Sequence, residues 1–436
     1  MATIARWFSS KVLLDEQERS KARTSAVPVL LVALALAINL GSLLAVRRHG
    51  TVETLDADEH EYWDLAEALL RGGIDALPAR RTLPFPAILA TLRALVGNDY
   101  IRVQIALLVV LSLSPLLLYL LVRRCVGSER VARLAAIGFL LWPPFVRYGI
   151  TLYSDSPALL TFLAFLVAFT WASERRNGPE PLGASWGRWL VAGGLLALCI
   201  QMKPLYLLYA PIAFVLAVAS EQGPKQRARA GTLLTIGCLL VLLPWSAYLS
   251  RREGRFLLIS ANDAETLAGG LNPELLRMDG TGFYVSPENR VTWVGPGKWL
   301  NPAATGYLRP EELELPYGQA RKLLAERSMS WIRSHPREVM YITARKLLYM
   351  WGIYPFWNGA AQSLLGNCLL LPLMGLAGLG VWRSRQNGSR FAVFWTLPIF
   401  SSLIASISWG SWRFRMPGDV GLIVLAAALV LPRQRD

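Results

Sequence analysis

Charge is what this chain has least of. Only 17% of its 436 residues are Asp, Glu, Lys or Arg, against roughly 25% in soluble domains. Acids are scarcer than bases, 30 against 45. The three histidines, His49, His60 and His335, are scattered. The four cysteines show neither metal nor disulfide spacing. Cys199, Cys238 and Cys368 fall in apolar stretches and Cys125 in a basic loop, so a zinc centre and a disulfide framework are not expected. Internal repeats and low-complexity tracts are also missing.

What is present is apolar, at 53% of residues. The apolar residues fall in continuous blocks of about 16–22, long enough for a helix to cross ~30 Å of hydrocarbon. They are rich in Leu, Ala and Val without strand alternation, so they read as helices. In lipid, a helix satisfies its own backbone. We therefore expect an all-α polytopic membrane protein of about ten spans. They lie near 27–46, 101–122, 131–148, 157–173, 188–202, 205–220, 231–249, 363–382, 391–408 and 417–432. The first block is too long for a signal-peptide core and is read as a retained signal anchor.

The net charge of +15 would suggest nucleic acid in a soluble protein. Here the bases sit in short loops, which points to topology and not to a nucleic-acid partner. The tail 1–26 and the loops holding Arg123 and Arg124, Arg175 and Arg176, Lys225 and Arg227, and Arg383 and Arg385 all fall on one side, the cytoplasmic one. Arg47 and Arg48 run against this bias. The domain plan is a cytoplasmic tail 1–26, a bundle 27–249 with a first outer loop 47–100, an outer cap segment 250–362, and C-terminal spans and tail 363–436. The first loop holds amphipathic stretches near 59–72 and 84–97, and the cap a helical stretch near 317–350. The two outer segments are expected to pack together above the bundle.

Few residues could carry chemistry. The first outer loop opens with Asp56, Asp58, Glu59 and Glu61, four carboxylates within six residues. Such a cluster costs free energy unless it binds a cation, titrates or serves as a base. Transfer of a sugar to a hydroxyl or amine needs a carboxylate to take the acceptor proton. The plain alternative is a solvated helix start at Asp58. Asp155 sits in a short outer turn before Pro157, where capping chemistry would account for it. Lys203 precedes Pro204 between two short spans, at a depth where a charge is a functional candidate. It can pair with a lipid phosphate or snorkel to the interface. Arg413 and Arg415 lie beside Trp412 and Phe414 before the last span. They could clamp a phosphate or anchor the chain to anionic lipid.

Taken together, these motifs resemble the GT-C superfamily of polyprenyl-phosphate-sugar glycosyltransferases. The likeness is nearest to the family 39-type enzymes, which include protein O-mannosyltransferases and the lipid A aminoarabinose transferase. It rests on Asp58 and Glu59 followed by Tyr62, Ala66 and Gly72; on Arg81, Pro84 and Pro86; on Pro244 and Trp245 leading to Asn262 and Gly269, Gly270, Leu271, Asn272 and Pro273; and on Arg413, Arg415 and Pro417. Further loop signatures of the aminoarabinose and mannosyl branches are absent, so neither sugar nor acceptor is named.

The resemblance implies a GT-C-like bundle with an extracytoplasmic cap in the cell (inner) membrane, its active site facing the periplasm or outer side. The donor would be a polyprenyl-phosphate monosaccharide and the acceptor a glycan, lipid or protein. Asp58 matches the base, and Asp155 a second acid. Lys203, Arg413 and Arg415 would hold the donor phosphate, with Asp56, Tyr62 and Arg81 toward substrate. Asp56, Glu59 and Asp155 could orient Asp58 or hold the acceptor. A divalent cation, Mg or Mn, would find its candidate ligands in Asp56, Asp58 and Glu59. Direct displacement would invert the anomeric carbon. The rival reading is a lipid-linked sugar flippase or transporter, which expects inverted repeats and broken helices.

Overall fold

The computed structural model of the chain describes residues 26–47, 57–174, 182–221, 223–277, 283–285, 291–293, 305–352, 360–384, 391–408 and 410–431. Asp56, Arg47's side chain, Arg48 and the basic residues of the tail and of the 175–181 and 385–390 loops lie outside the described residues. The chain divides into two units, Met1–Ser260 with Leu376–Thr396 and Val420–Asp436, and Ala261–Gly375 with Leu397–Asp419.

Among its described residues the first unit holds helices and the turns that join them, and no strand. Helix α1 (Val27–Arg47) is the expected first span. Two helices of the first outer segment follow, α2 (Ala57–Gly72) and α3 (Pro84–Val96), where the amphipathic stretches were read. Pro84 and Pro86 start α3, because a first-turn residue has no intrahelical use for its N–H. Arg93 of α3 is buried and donates to the Trp63 carbonyl at 2.6 Å. Its guanidinium lies 4.1 Å from the centre of the Trp63 ring, which fastens α3 to α2.

Next come α4 (Tyr100–Leu111), capped by Asp99, and α5 (Ser114–Val126), ended by Gly127 at φ 75°. The expected span over 131–148 is instead two helices, α6 (Glu129–Leu141) and α7 (Pro143–Gly149). Pro143 and Pro144 have no N–H to continue α6, and Trp142 before them is extended at ψ 115°. Helices α8 (Asp155–Ser173), α9 (Leu182–Met202), α10 (Ala210–Ser220) and α11 (Pro224–Glu253) form the rest of this bundle, with a 3-10 turn at Pro204–Tyr209 between α9 and α10.

Helices α9 and α11 pack backbone to backbone. A Cβ on Gly193 would collide with the Leu234 carbonyl, and one on Gly237 with the Leu190 carbonyl. Small residues permit this approach where lipid removes the hydrophobic drive between helices. Gln201 donates to the Val241 carbonyl at 2.8 Å, beside the turn that Pro244 loosens within α11.

The second unit holds α12 (Asp263–Gly270), α13 (Glu274–Arg277), α14 (Tyr317–Ser334) and α15 (Pro336–Met350), and a small hairpin, β1 (Phe283–Val285) with β2 (Val291–Trp293), paired Phe283 to Trp293. The helix expected over 317–350 breaks at His335, because Pro336 follows it. Ala264, Ala268, Tyr307, Leu308 and Leu324 form one apolar cluster, and Leu271, Leu275 and Ile342 another. Arg327 holds Glu312 through both nitrogens, at 2.5 and 2.7 Å. The Arg327 hydrogen bonds, with the Arg309 N–H, keep that carboxyl down at about 2.

The last helices, α16 (Ala360–Ser384), α17 (Ala392–Ile407) and α18 (Trp412–Ala427), each contribute to both units. Among the described residues, four stretches are long and apolar enough to cross a membrane, Val27–Val46, Tyr100–Val126, Asp155–Ser173 and Pro224–Glu253. Five shorter apolar helices accompany them.

Candidate active site

The first unit draws several of the singled-out residues into one place. Helix α2 begins with Asp58 and Glu59 in its first turn, where the helix dipole favours negative charge. Asp58 is half-buried, and Glu59 is fully buried. Glu59 Oε1 accepts the Leu152 N–H at 2.9 Å. One turn on, the Tyr62 hydroxyl shares a hydrogen bond with Ser154 Oγ at 3.1 Å. These two contacts tie the start of α2 to the turn 150–154, more than ninety residues later.

That turn delivers Asp155, the first residue of α8. Its carboxylate forms an ion pair with Lys203 Nζ, the two side chains being 2% and 10% exposed. Lys203 is held there by packing. It ends α9 and opens the 3-10 turn, its N–H on the Cys199 carbonyl and its own carbonyl taking the Tyr206 N–H. Tyr206 and Tyr209 of that turn pack edge-on to Phe162 of α8, at 5.0 and 4.8 Å between ring centres. Phe162 lies seven residues, two turns, beyond Asp155, on the same face of α8. The aromatic contact therefore seats the turn that Lys203 opens against the face of α8 that carries Asp155. Beside the pair, the buried Ser156 Oγ has no hydrogen-bond partner among the described residues. An orphaned buried hydroxyl costs about 1–3 kcal/mol, a penalty that a polar ligand removes.

Arg81 approaches from the loop before α3. It grips Glu61 with two hydrogen bonds, Nε at 2.9 Å, while Arg80 reaches the same carboxylate at 2.8 Å. The Arg81 guanidinium lies 5.2 Å from the centre of the Tyr62 ring, which also meets Phe85 edge-on at 4.8 Å. Burial works against the Arg81 charge. The Glu61 hydrogen bond, with Tyr62, Glu61 and Asp58 nearby, outweighs it and holds the guanidinium above its ordinary range.

Among the described residues, no three His, Cys, Asp or Glu side chains are grouped to hold a metal ion. Asp56 lies outside them, and one Glu59 oxygen is engaged by a backbone N–H. The described residues alone do not make a cation site.

Arg413 and Arg415 belong to the second unit, at the start of α18. Arg415 is buried; its Nε donates to Asp419 and its Nη1 to the Met350 carbonyl, both at 2.7 Å. Arg413 is half-buried, its guanidinium 5.5 Å from the centre of the Phe414 ring. In the same unit, Lys346 of α15 is completely buried, its Nζ 2.8 Å from the Ser408 carbonyl. Burial lowers this ammonium to about 7.

Sequence reading missed Ser154, Ser156, Glu61 as the anchor of Arg81, and Lys346. For Lys346 a signal existed: it shares the helical stripe of Ile342, Tyr349 and Met350, an apolar face where a charge is out of place. For the serines no local signal exists: the partner of Ser154 is distant in the chain, and the burial of Ser156 is a tertiary fact.

Comparison with known proteins agrees with this architecture. Residues 81–248 match the model of a family described as dolichyl-phosphate-mannose-protein mannosyltransferase. The crystal structure of the apo oligosaccharyltransferase of Archaeoglobus fulgidus is similar, with TM-score 0.54 and 13% identity, covering 93% of this chain and 50% of that one. The AglB oligosaccharyltransferase of the same organism, in complex with an inhibitory peptide and a dolichol-phosphate, gives 0.53 and 15%, covering 92% and 50%. The ArnT structure of Cupriavidus metallidurans bound to undecaprenyl phosphate overlaps at 0.42 and 14%, covering 92% and 76%. The chain spans about half the length of the archaeal proteins. No curated protein sequence matches it. The archaeal structures bear out the expected all-helical fold of the bundle. The family match spans the segment that holds Arg81, Asp155 and Lys203.

Proposed function

We propose that this GT-C-type chain is a membrane glycosyltransferase that moves a monosaccharide from a polyprenyl-phosphate carrier to an acceptor on the outer side of the cell membrane. The acceptor is a glycan, lipid or protein. One observation supports this reading most: Glu59 and Tyr62 fasten the turn carrying Asp155, and hence Lys203, to the helix that opens with Asp58.

In this mechanism Asp58 takes the proton of the acceptor hydroxyl or amine as that atom attacks the anomeric carbon. The sugar–phosphate bond breaks, and the carrier phosphate leaves with the bonding electrons. The displacement inverts configuration and passes through no covalent intermediate. Lys203 supplies positive charge to the leaving phosphate, where it counts most in the transition state. Asp155 fixes the lysine's position. Tyr62 and the Ser156 hydroxyl offer hydrogen bonds to the sugar or acceptor, and Arg81, anchored by Glu61, adds a fixed positive charge beside them. Arg413 and Arg415 are further candidates for the donor phosphate.

The test is sugar transfer from radiolabelled polyprenyl-phosphate donors in membranes, comparing wild type with Asp58→Asn. Loss of a general base lowers the rate by about 10²–10⁴-fold, in a protein that still inserts. Unchanged transfer would move the base to Asp56, Glu59 or Asp155. No transfer from any donor by wild type would favour the flippase.

A further inference from the structure

We propose that Lys346 is a positioning residue that locks Ser408 and the start of α18, and with it Arg415, against α15. The inference rests on the reading above that Arg415 serves the donor phosphate. Four contacts within the second unit carry it. Lys346 Nζ donates to the carbonyl of Ser408, just past the end of α17. Arg415, at the start of α18, returns the contact by donating Nη1 to the carbonyl of Met350, the last residue of α15. Each cation thus satisfies a terminal carbonyl that has no partner in its own helix.

Two glycines close the remaining gaps. A Cβ on Gly410 would collide with the Lys346 carbonyl, and a Cβ on Gly270 with the Ser408 carbonyl. Gly270 belongs to the Gly269–Pro273 motif noted in the sequence. Its neighbour Asn272 is buried, its amide donating to the Ala268 carbonyl at 2.9 Å and its Oδ1 accepting the Leu275 N–H at 3.2 Å. The motif makes a tight end to α12 on which the Ser408 carbonyl rests.

A methionine or leucine would fill the Lys346 space without the cost of burying an amine. What the amine adds is the bond to Ser408. Arg415 is held in turn at Nε by Asp419 and at Nη1 by Met350, which leaves Nη2 as the nitrogen that no other described residue engages. Lys346 therefore acts on a ligand through Arg415 and not by touching it.

The experiment uses the full chain in nanodiscs and measures binding of undecaprenyl phosphate by tryptophan fluorescence. The variants are Lys346→Met, Arg415→Gln, their double, and Gly410→Ala, which wedges the same junction with the lysine present. Lys346→Met and Gly410→Ala are each expected to weaken binding about tenfold. The double should bind no more weakly than Arg415→Gln alone, since residues that act as one unit are non-additive. Wild-type binding by both Lys346→Met and Gly410→Ala, with Arg415→Gln weakened, overturns the inference alone. Losses that multiply in the double overturn it too, because Lys346 would then act independently. Wild-type binding by Arg415→Gln overturns the phosphate role of the arginine itself. If Lys346→Met does not fold, Gly410→Ala decides.

Discussion

The Asp155–Lys203 pair can be taken apart one charge at a time. Both side chains are nearly removed from solvent, so neither charge can be left alone cheaply. Removing one partner of such a pair costs about 3–5 kcal/mol, whereas replacing both is often near neutral. Asp155→Asn and Lys203→Met should each lose that amount. Asp155→Asn loses about 0.3–1 kcal/mol more, because the acid also opens α8 at its positive end. The double variant should return to within about 2 kcal/mol of wild type. The assay is reversible unfolding in mixed micelles as the denaturing detergent fraction rises, with sugar transfer measured on the same preparations. Function separates from stability in the double: if Lys203 faces the donor phosphate, transfer stays at least about 10²-fold down although the fold has recovered. Recovery of both stability and transfer would make the pair purely structural and remove Lys203 from the mechanism. Losses below about 1 kcal/mol in both single variants would show that the charges are screened by water and refute the burial argument itself.

Other outcomes follow from the same reasoning. Lys346 binds its proton at about 7 in the fold but at an ordinary 10.5 when unfolded. Between those values the unfolded chain holds the extra proton, so stability rises with pH by about 1.4 kcal/mol per unit. Melting followed from pH 6.5 to 9.5 should show wild type gaining on Lys346→Met, and parallel curves would refute this. Gly193→Leu should cost about 3 kcal/mol by forcing α9 from α11, while Gly187→Leu on the same helix, where a Cβ meets open space, should be neutral. Equal unfolding midpoints for the two would refute the seam. Asp58→Asn should lower transfer by about 10²–10⁴-fold while costing no more than about 1 kcal/mol of stability at the start of α2.

How much of this was legible in the sequence depends on range. The starts of α2 and α3 were legible because Asp58 and Pro84 are local helix signals. The interruption at Lys203 was legible from Pro204. The same signal at Pro143 was overridden by the apolar run around it, and a single span was expected where α6 and α7 are separate helices. The candidate residues Asp58, Asp155 and Lys203 could be singled out one by one. Their common setting could not, since it depends on Glu59 meeting the Leu152 N–H and on Phe162 meeting Tyr206. Glu61 was visible within the acidic run, but its part in gripping Arg81 is a tertiary fact.

The glycine seam between α9 and α11 has a consequence for traffic. Where two backbones touch, no gap as wide as a methylene chain remains, and opening one would break the Gly193 and Gly237 contacts together. A long isoprenoid tail, such as the proposed donor carries, cannot thread through this seam, so that donor would enter between some other pair of helices.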